Sequence, residues 1–142
     1  MIVTRREFIR SGSILAASLA GVGFSSGGAD RREADVCIYG ATSGGLLAAI
    51  ALAKLGRSVI VIEPTRHVGG MTTGGLSYVD HGRIETIGGL TKAYFDEARA
   101  HYTTGGKTEG NGWSVEPHVA EGIFDRWIQA HRIEVIREAR RI

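Results

Sequence analysis

The sequence predicts an α/β fold built on a Rossmann-like dinucleotide-binding βαβ unit. Three observations carry that expectation. A short apolar strand runs directly into a glycine turn, a helix of small and aliphatic residues comes next, and a second apolar strand ends on an acid 23 residues after the first glycine. In that arrangement the helix N-terminus faces a pyrophosphate and the acid takes ribose hydroxyls.

The first strand is Val36 to Tyr39, and it opens into Gly40, Gly44 and Gly45. Read as G-x-G-x-x-G, the three positions are Gly40, Thr42 and Gly45, so a threonine replaces the second glycine. A Cβ there takes room that the backbone normally uses to approach phosphate. The expectation is that the Thr42 hydroxyl offsets this by donating to a phosphate oxygen. The second strand is Ser58 to Ile62, and Glu63 closes it. Gly40, Thr42, Ser43, Gly44 and Gly45 are the candidate phosphate-binding residues, and Glu63 is the candidate ribose acceptor.

Beyond Glu63 the pattern changes to helices. Ile87, Leu90, Thr91, Tyr94, Phe95, Ala98 and Tyr102 recur at three- and four-residue steps, which predicts an amphipathic helix within 85–102. Gly88-Gly89 weakens its start, so the helix proper is expected from Leu90. Thr103 to Gly112 reads as a polar, glycine-rich surface loop. Pro117 suits the first turn of a further helix, with Val119, Ile123, Phe124, Trp127 and Ile128 as its apolar face. That helix should end near His131, and Ile133 to Ile136 reads as a third strand.

The run Glu63-Pro-Thr-Arg66-His-Val-Gly69-Gly70-Met71-Thr72-Thr-Gly74-Gly75 adds a second glycine segment behind a basic residue. On these residues, together with the βαβ motif and the stretch Val115-Glu-Pro-His-Val-Ala-Glu-Gly-Ile-Phe124, the chain resembles the two-dinucleotide-binding-domain flavoproteins. Within them it is most similar to the FAD-dependent oxidoreductase family that includes xanthan-lyase-like flavoproteins. The resemblance covers residues 35–142. It implies FAD as cofactor, preferred over NAD because the Arg-x-x-Gly-Gly extension belongs to the flavin-binding pattern. It also implies that Arg66 lies near the adenosine half, and that Gly69, Gly70, Met71 and Thr72 pass close to the pyrophosphate and the flavin side. Tyr78-Val-Asp80-His81 comes directly after the glycine segment, and Asp80 or His81 reads either as a flavin or substrate contact or as a solvated loop.

The N-terminus carries a different signal. Arg5-Arg6-Glu-Phe-Ile precedes an uncharged stretch whose most apolar part is Ile14 to Phe24, too short to span a bilayer. Residues 1–29 are therefore expected to be a twin-arginine signal peptide, with the periplasm or another exported location as destination and the twin-arginine machinery as transport partner. A flavoprotein that loads its cofactor before export must cross the membrane folded, which suits that route. No stable membrane anchor is expected.

Removing this leader changes the charge argument. It holds Arg5, Arg6 and Arg10 against Glu7, which leaves 14 basic and 14 acidic residues from a whole-chain excess of +2. The basic balance thus belongs to targeting and gives no reason to expect nucleic acid. Cys37, the single cysteine, cannot form an intrachain disulfide and reads as a buried small apolar residue. Histidines 67, 81, 101, 118 and 131 lack metal-ligand spacing, so no metal site is expected.

Residues 30–142 suffice for the N-terminal part of an FAD-binding domain, without a substrate domain. The expected function is flavin-mediated hydride or electron transfer from a small organic substrate, with catalytic residues outside this stretch. The competing expectation is a non-catalytic, truncated nucleotide-binding module.

Overall fold

The computed structural model describes residues 31–104 and 112–140. The predicted leader, and most of the predicted loop between Thr103 and Gly112, lie outside the described residues. Three parallel strands form the sheet: β1 (Val36–Tyr39), β2 (Val59–Ile62) and β3 (Glu134–Ile136), in the order β1-β2-β3. Val36 pairs with Val59 and Tyr39 with Ile62, while Ile60 pairs with Glu134 and Ile62 with Ile136. The helices are α1 (Ser43–Lys54), α2 (Gly89–Thr104) and α3 (Pro117–Ala130). Two single 3₁₀ turns, Gly70–Thr72 and Ile84–Thr86, lie between β2 and α2.

Both crossovers step the same way across the sheet. Right-handed connections therefore put their helices on one face. Ile38, Val61 and Val135 point to that face and meet Leu46, Ala49 and Ile50 of α1 and Ile123, Phe124 and Ile128 of α3. Helix α2 packs on α3, with the Tyr94 ring stacked on Phe124 at a centroid distance of 4.8 Å and Phe95 against Trp113 at 4.2 Å. Burying such aromatic faces stabilises the α2–α3 pair beyond their area alone.

Alternation along β1 sends Cys37 and Tyr39 to the opposite face, where both are exposed. This corrects the expectation of a buried cysteine. An apolar strand reads as buried on both sides, but no described helix covers this face of β1.

The elements otherwise match the sequence closely. β2 begins one residue later than expected, because Ser58 donates from both its backbone N–H and its hydroxyl to the Asp35 carboxylate at 2.8 Å. Those bonds, the backbone one foremost, hold Asp35 below its usual carboxylate value. Pro117 occupies the first turn of α3, and His131 caps its end. Among the described residues no helix is long and apolar enough to cross a membrane.

Candidate functional site

The two glycine segments meet at the carboxyl ends of β1 and β2, the edge where ligands bind in open α/β sheets. Gly40 turns the chain out of β1 with φ of 98°, a conformation that glycine adopts without penalty. Thr42 then caps α1, its side-chain oxygen accepting the Gly45 N–H at 3.1 Å. The first bond inside the helix runs from Leu46 N–H to the Thr42 carbonyl at 2.8 Å. The N–H groups of Ser43 and Gly44 therefore open the helix without an intrahelical acceptor.

The threonine in the second glycine position has a structural explanation. Its φ is −65°, ordinary for any L-residue, so the turn makes no demand for glycine there. Its bulk leans toward the second glycine segment. A Cβ placed on Gly70 would lie 3.3–3.4 Å from Thr42 Cα, Cβ and Cγ2, so glycine at 70 leaves the space that threonine at 42 fills. The Thr42 oxygen accepts the Gly45 N–H as the helix cap, and its O–H proton stays available to donate, as the expected phosphate contact requires. At Gly45 a Cβ would fall 2.4 Å from the Gly40 carbonyl oxygen, so only glycine permits this approach of helix to strand. At Gly44 a Cβ would meet nothing within 4 Å.

Ala41 joins the parts. It is fully buried, its N–H donates to Glu63 Oε2 at 2.7 Å, and its carbonyl accepts the Gly69 N–H at 2.6 Å. Glu63 Oε1 accepts both the backbone N–H and the hydroxyl of Thr65, each at 2.8 Å. Burial pushes the Glu63 carboxyl up, but the bonds from Thr65 and Ala41 outweigh it and hold the group below its usual value. Three of its roughly four lone-pair directions are filled by the chain itself, which leaves one open.

The second glycine segment turns sharply, with φ of 98° at Gly69 and 57° at Gly70, and Gly70–Thr72 forms one 3₁₀ turn. Val68, fully buried, donates its N–H to Glu121 Oε1 at 3.0 Å and accepts the Thr73 hydroxyl at 2.5 Å. His67 Nδ1 lies 3.0 Å from Glu121 Oε2. Met71 is 76% exposed, and Arg66 is exposed on the preceding turn.

Thus Gly40, Thr42, Ser43, Gly44, Gly45, Glu63, Gly69 and Gly70 come together, with Met71 and Thr72 at the rim. Asp80 and His81 belong to a neighbouring segment that pairs antiparallel with 113–115: Val79 N–H donates to the Trp113 carbonyl at 3.0 Å, and Val115 N–H to that of Ser77 at 2.8 Å. The His81 ring packs on Trp113 at 4.7 Å, and Asp80 is exposed. His118 sits exposed in the first turn of α3. Among the described residues no group of histidine, cysteine or acidic side chains is arranged to hold a metal. Sequence reasoning missed Glu121, Thr65 and Thr73. Nothing local marks Glu121, whose partners Val68 and His67 are 53 and 54 positions away.

A parallel sheet with a glycine turn, a capped helix start and an acid at the end of β2 defines a dinucleotide-binding α/β protein. Residues 35–142 match the model of the FAD dependent oxidoreductase family, and the chain belongs to that family. Its cofactor is FAD. The residues fit this group: a second glycine segment bonded onto the first turn, open helix N–H groups and unfilled space at Gly44 suit a pyrophosphate. Among solved structures the chain is similar to THI4 from Thermovibrio ammonificans, at 18% identity and a TM-score of 0.45, covering 73% of this chain and 38% of that one. It is also similar to AlpK, at 19% identity and 0.45, covering 79% of this chain and 24% of that one. The chain thus spans well under half the length of either. No curated protein matches it.

Proposed function

We propose that this chain supplies the adenosine- and pyrophosphate-binding part of an FAD-dependent oxidoreductase that acts on a small organic substrate. The observation that carries this reading is the double engagement of Ala41, which ties Glu63 and Gly69 to one residue and brings both glycine turns to the same sheet edge. Ser43 and Gly44 N–H groups hold the pyrophosphate, aided by the positive end of the α1 dipole. Glu63 accepts a ribose hydroxyl through its remaining lone pair, and Arg66 lies beside the adenosine. Gly69, Gly70, Met71 and Thr72 line the path toward the flavin. FAD, when bound, supplies the electron-accepting chemistry. The chain's own residues bind and orient it.

The paired Arg5-Arg6 and the apolar stretch after them support export of the folded protein by the twin-arginine route. Purification of the intact gene product tests the cofactor assignment. Flavin absorbance that persists through gel filtration in the wild type and disappears in Gly45→Asp is the expected result; a colourless wild type that does not take up added FAD would sink it. Replacing both leader arginines by lysine should retain the protein in the cytoplasm, and unchanged export would count against that route.

A further inference from the structure

We infer that Glu121 is a positioning residue for the cofactor site, acting through the peptide that leads into the second glycine turn. The inference rests on the proposed flavin-binding role of this edge. Val68 has no ladder partner at either end. Its N–H is met by Glu121 Oε1 and its carbonyl by the Thr73 hydroxyl, so side chains alone hold this buried residue in place.

The next two residues give the bond its reach. Gly69 donates to Ala41, and Gly70 lies against Thr42, so any displacement at Val68 moves the second turn away from the first. Glu121 belongs to α3, and that helix is fixed by the burial of Ile123, Phe124 and Ile128. Phe124 stands behind the turn, because a Cβ on Gly69 would lie 3.0 Å from its ring. Glu121 therefore transfers the rigid placement of α3 to a segment whose regular structure is a single 3₁₀ turn, Gly70–Thr72. Loss of the acceptor leaves a buried N–H unsatisfied, and the loop must move to hydrate it.

The working part of Glu121 is its acceptor oxygen on Val68. Its pairing with His67 is a side effect, since the His67 side chain is 71% exposed and a pair so open to solvent contributes little. Glutamine keeps an acceptor oxygen and gives up the charge, whereas leucine keeps the bulk and gives up the acceptor.

The test is the FAD dissociation constant of the intact protein, measured by flavin fluorescence quenching, together with hydrogen exchange at the Val68 amide of the flavin-free form. Glu121→Gln should bind within about threefold of wild type. Glu121→Leu should bind at least about tenfold more weakly, with faster exchange at Val68 and unchanged exchange in α1. Wild-type affinity and exchange in Glu121→Leu would overturn the inference. So would a Glu121→Gln as weak as Glu121→Leu, which would place the effect in the charge. If Glu121→Leu does not fold, Thr73→Val removes the bond at the other end of Val68 and should weaken FAD similarly; unchanged affinity there is also fatal. A wild type that binds no FAD overturns the flavin reading, while exchange at Val68 in Glu121→Leu, compared with Glu121→Gln, still judges Glu121.

Discussion

The Glu63 carboxylate, at the end of β2, accepts the backbone N–H of Ala41 in the turn after β1 at 2.7 Å. This contact makes Glu63 part of the architecture of the glycine turn before any ligand is considered. An acid at this position ties the end of β2 to the glycine turn and keeps one lone pair outside its three bonds.

Glu63→Ala should lose both properties. Three hydrogen bonds to a largely buried carboxylate disappear, and the Ala41 N–H is left without a partner. The expected destabilisation is about 3 kcal/mol, measured as a shift in the urea midpoint, with loss of flavin retention. A variant as stable as wild type would show that water replaces the carboxylate without penalty.

Acid should reproduce part of that effect. Burial raises the Glu63 carboxyl but the Thr65 and Ala41 bonds lower it by more, so its folded-state value lies below the ordinary 4.5. The unfolded chain then binds the proton more readily, and stability falls as pH falls. Glu63's contribution is complete above the ordinary carboxylate value and is lost as pH drops through the lowered one. The urea midpoints of wild type and Glu63→Ala should converge across that window. A constant gap down to the lowest pH would contradict this.

Gly44 and Gly45 should respond in opposite ways. Gly45→Ala drives a Cβ to within 2.4 Å of the Gly40 carbonyl and should destabilise by about 2 kcal/mol. Gly44→Ala meets no atom within 4 Å and lies inside the first turn of α1, so it should stabilise the flavin-free protein by about 0.5–1 kcal/mol. The same methyl stands where the pyrophosphate is proposed to approach. Gly44→Ala should therefore raise the melting temperature and lower FAD affinity together; a rise in both would move the phosphate elsewhere.

Tyr94 offers a test away from the site. Its hydroxyl is buried with no hydrogen-bond partner among the described residues, and burial, with a smaller effect from Tyr102, pushes its pKa up to about 12. Tyr94→Phe keeps the stack on Phe124 and removes the orphan group. Thermal melts should show a gain of about 1 kcal/mol. A loss of that size would mean the hydroxyl finds a partner in solution.

The strands, α1 and α3 were legible as periodicity and glycine punctuation, because those signals arise from neighbours a few residues apart. The same local logic placed Gly40, Gly45 and Glu63, and Pro117 at the start of α3. What the sequence by itself determined was therefore the βαβ unit and the glycines and acid that shape its turn. Only tertiary structure decided that Cys37 faces outward, because the handedness of both crossovers puts every described helix on the other face of β1. It alone decided that Thr42 fits against Gly70, and that Glu121 reaches back across 53 residues to hold Val68. These contacts depend on how α3 docks, and the register of one packed element on another leaves no trace in local spacing.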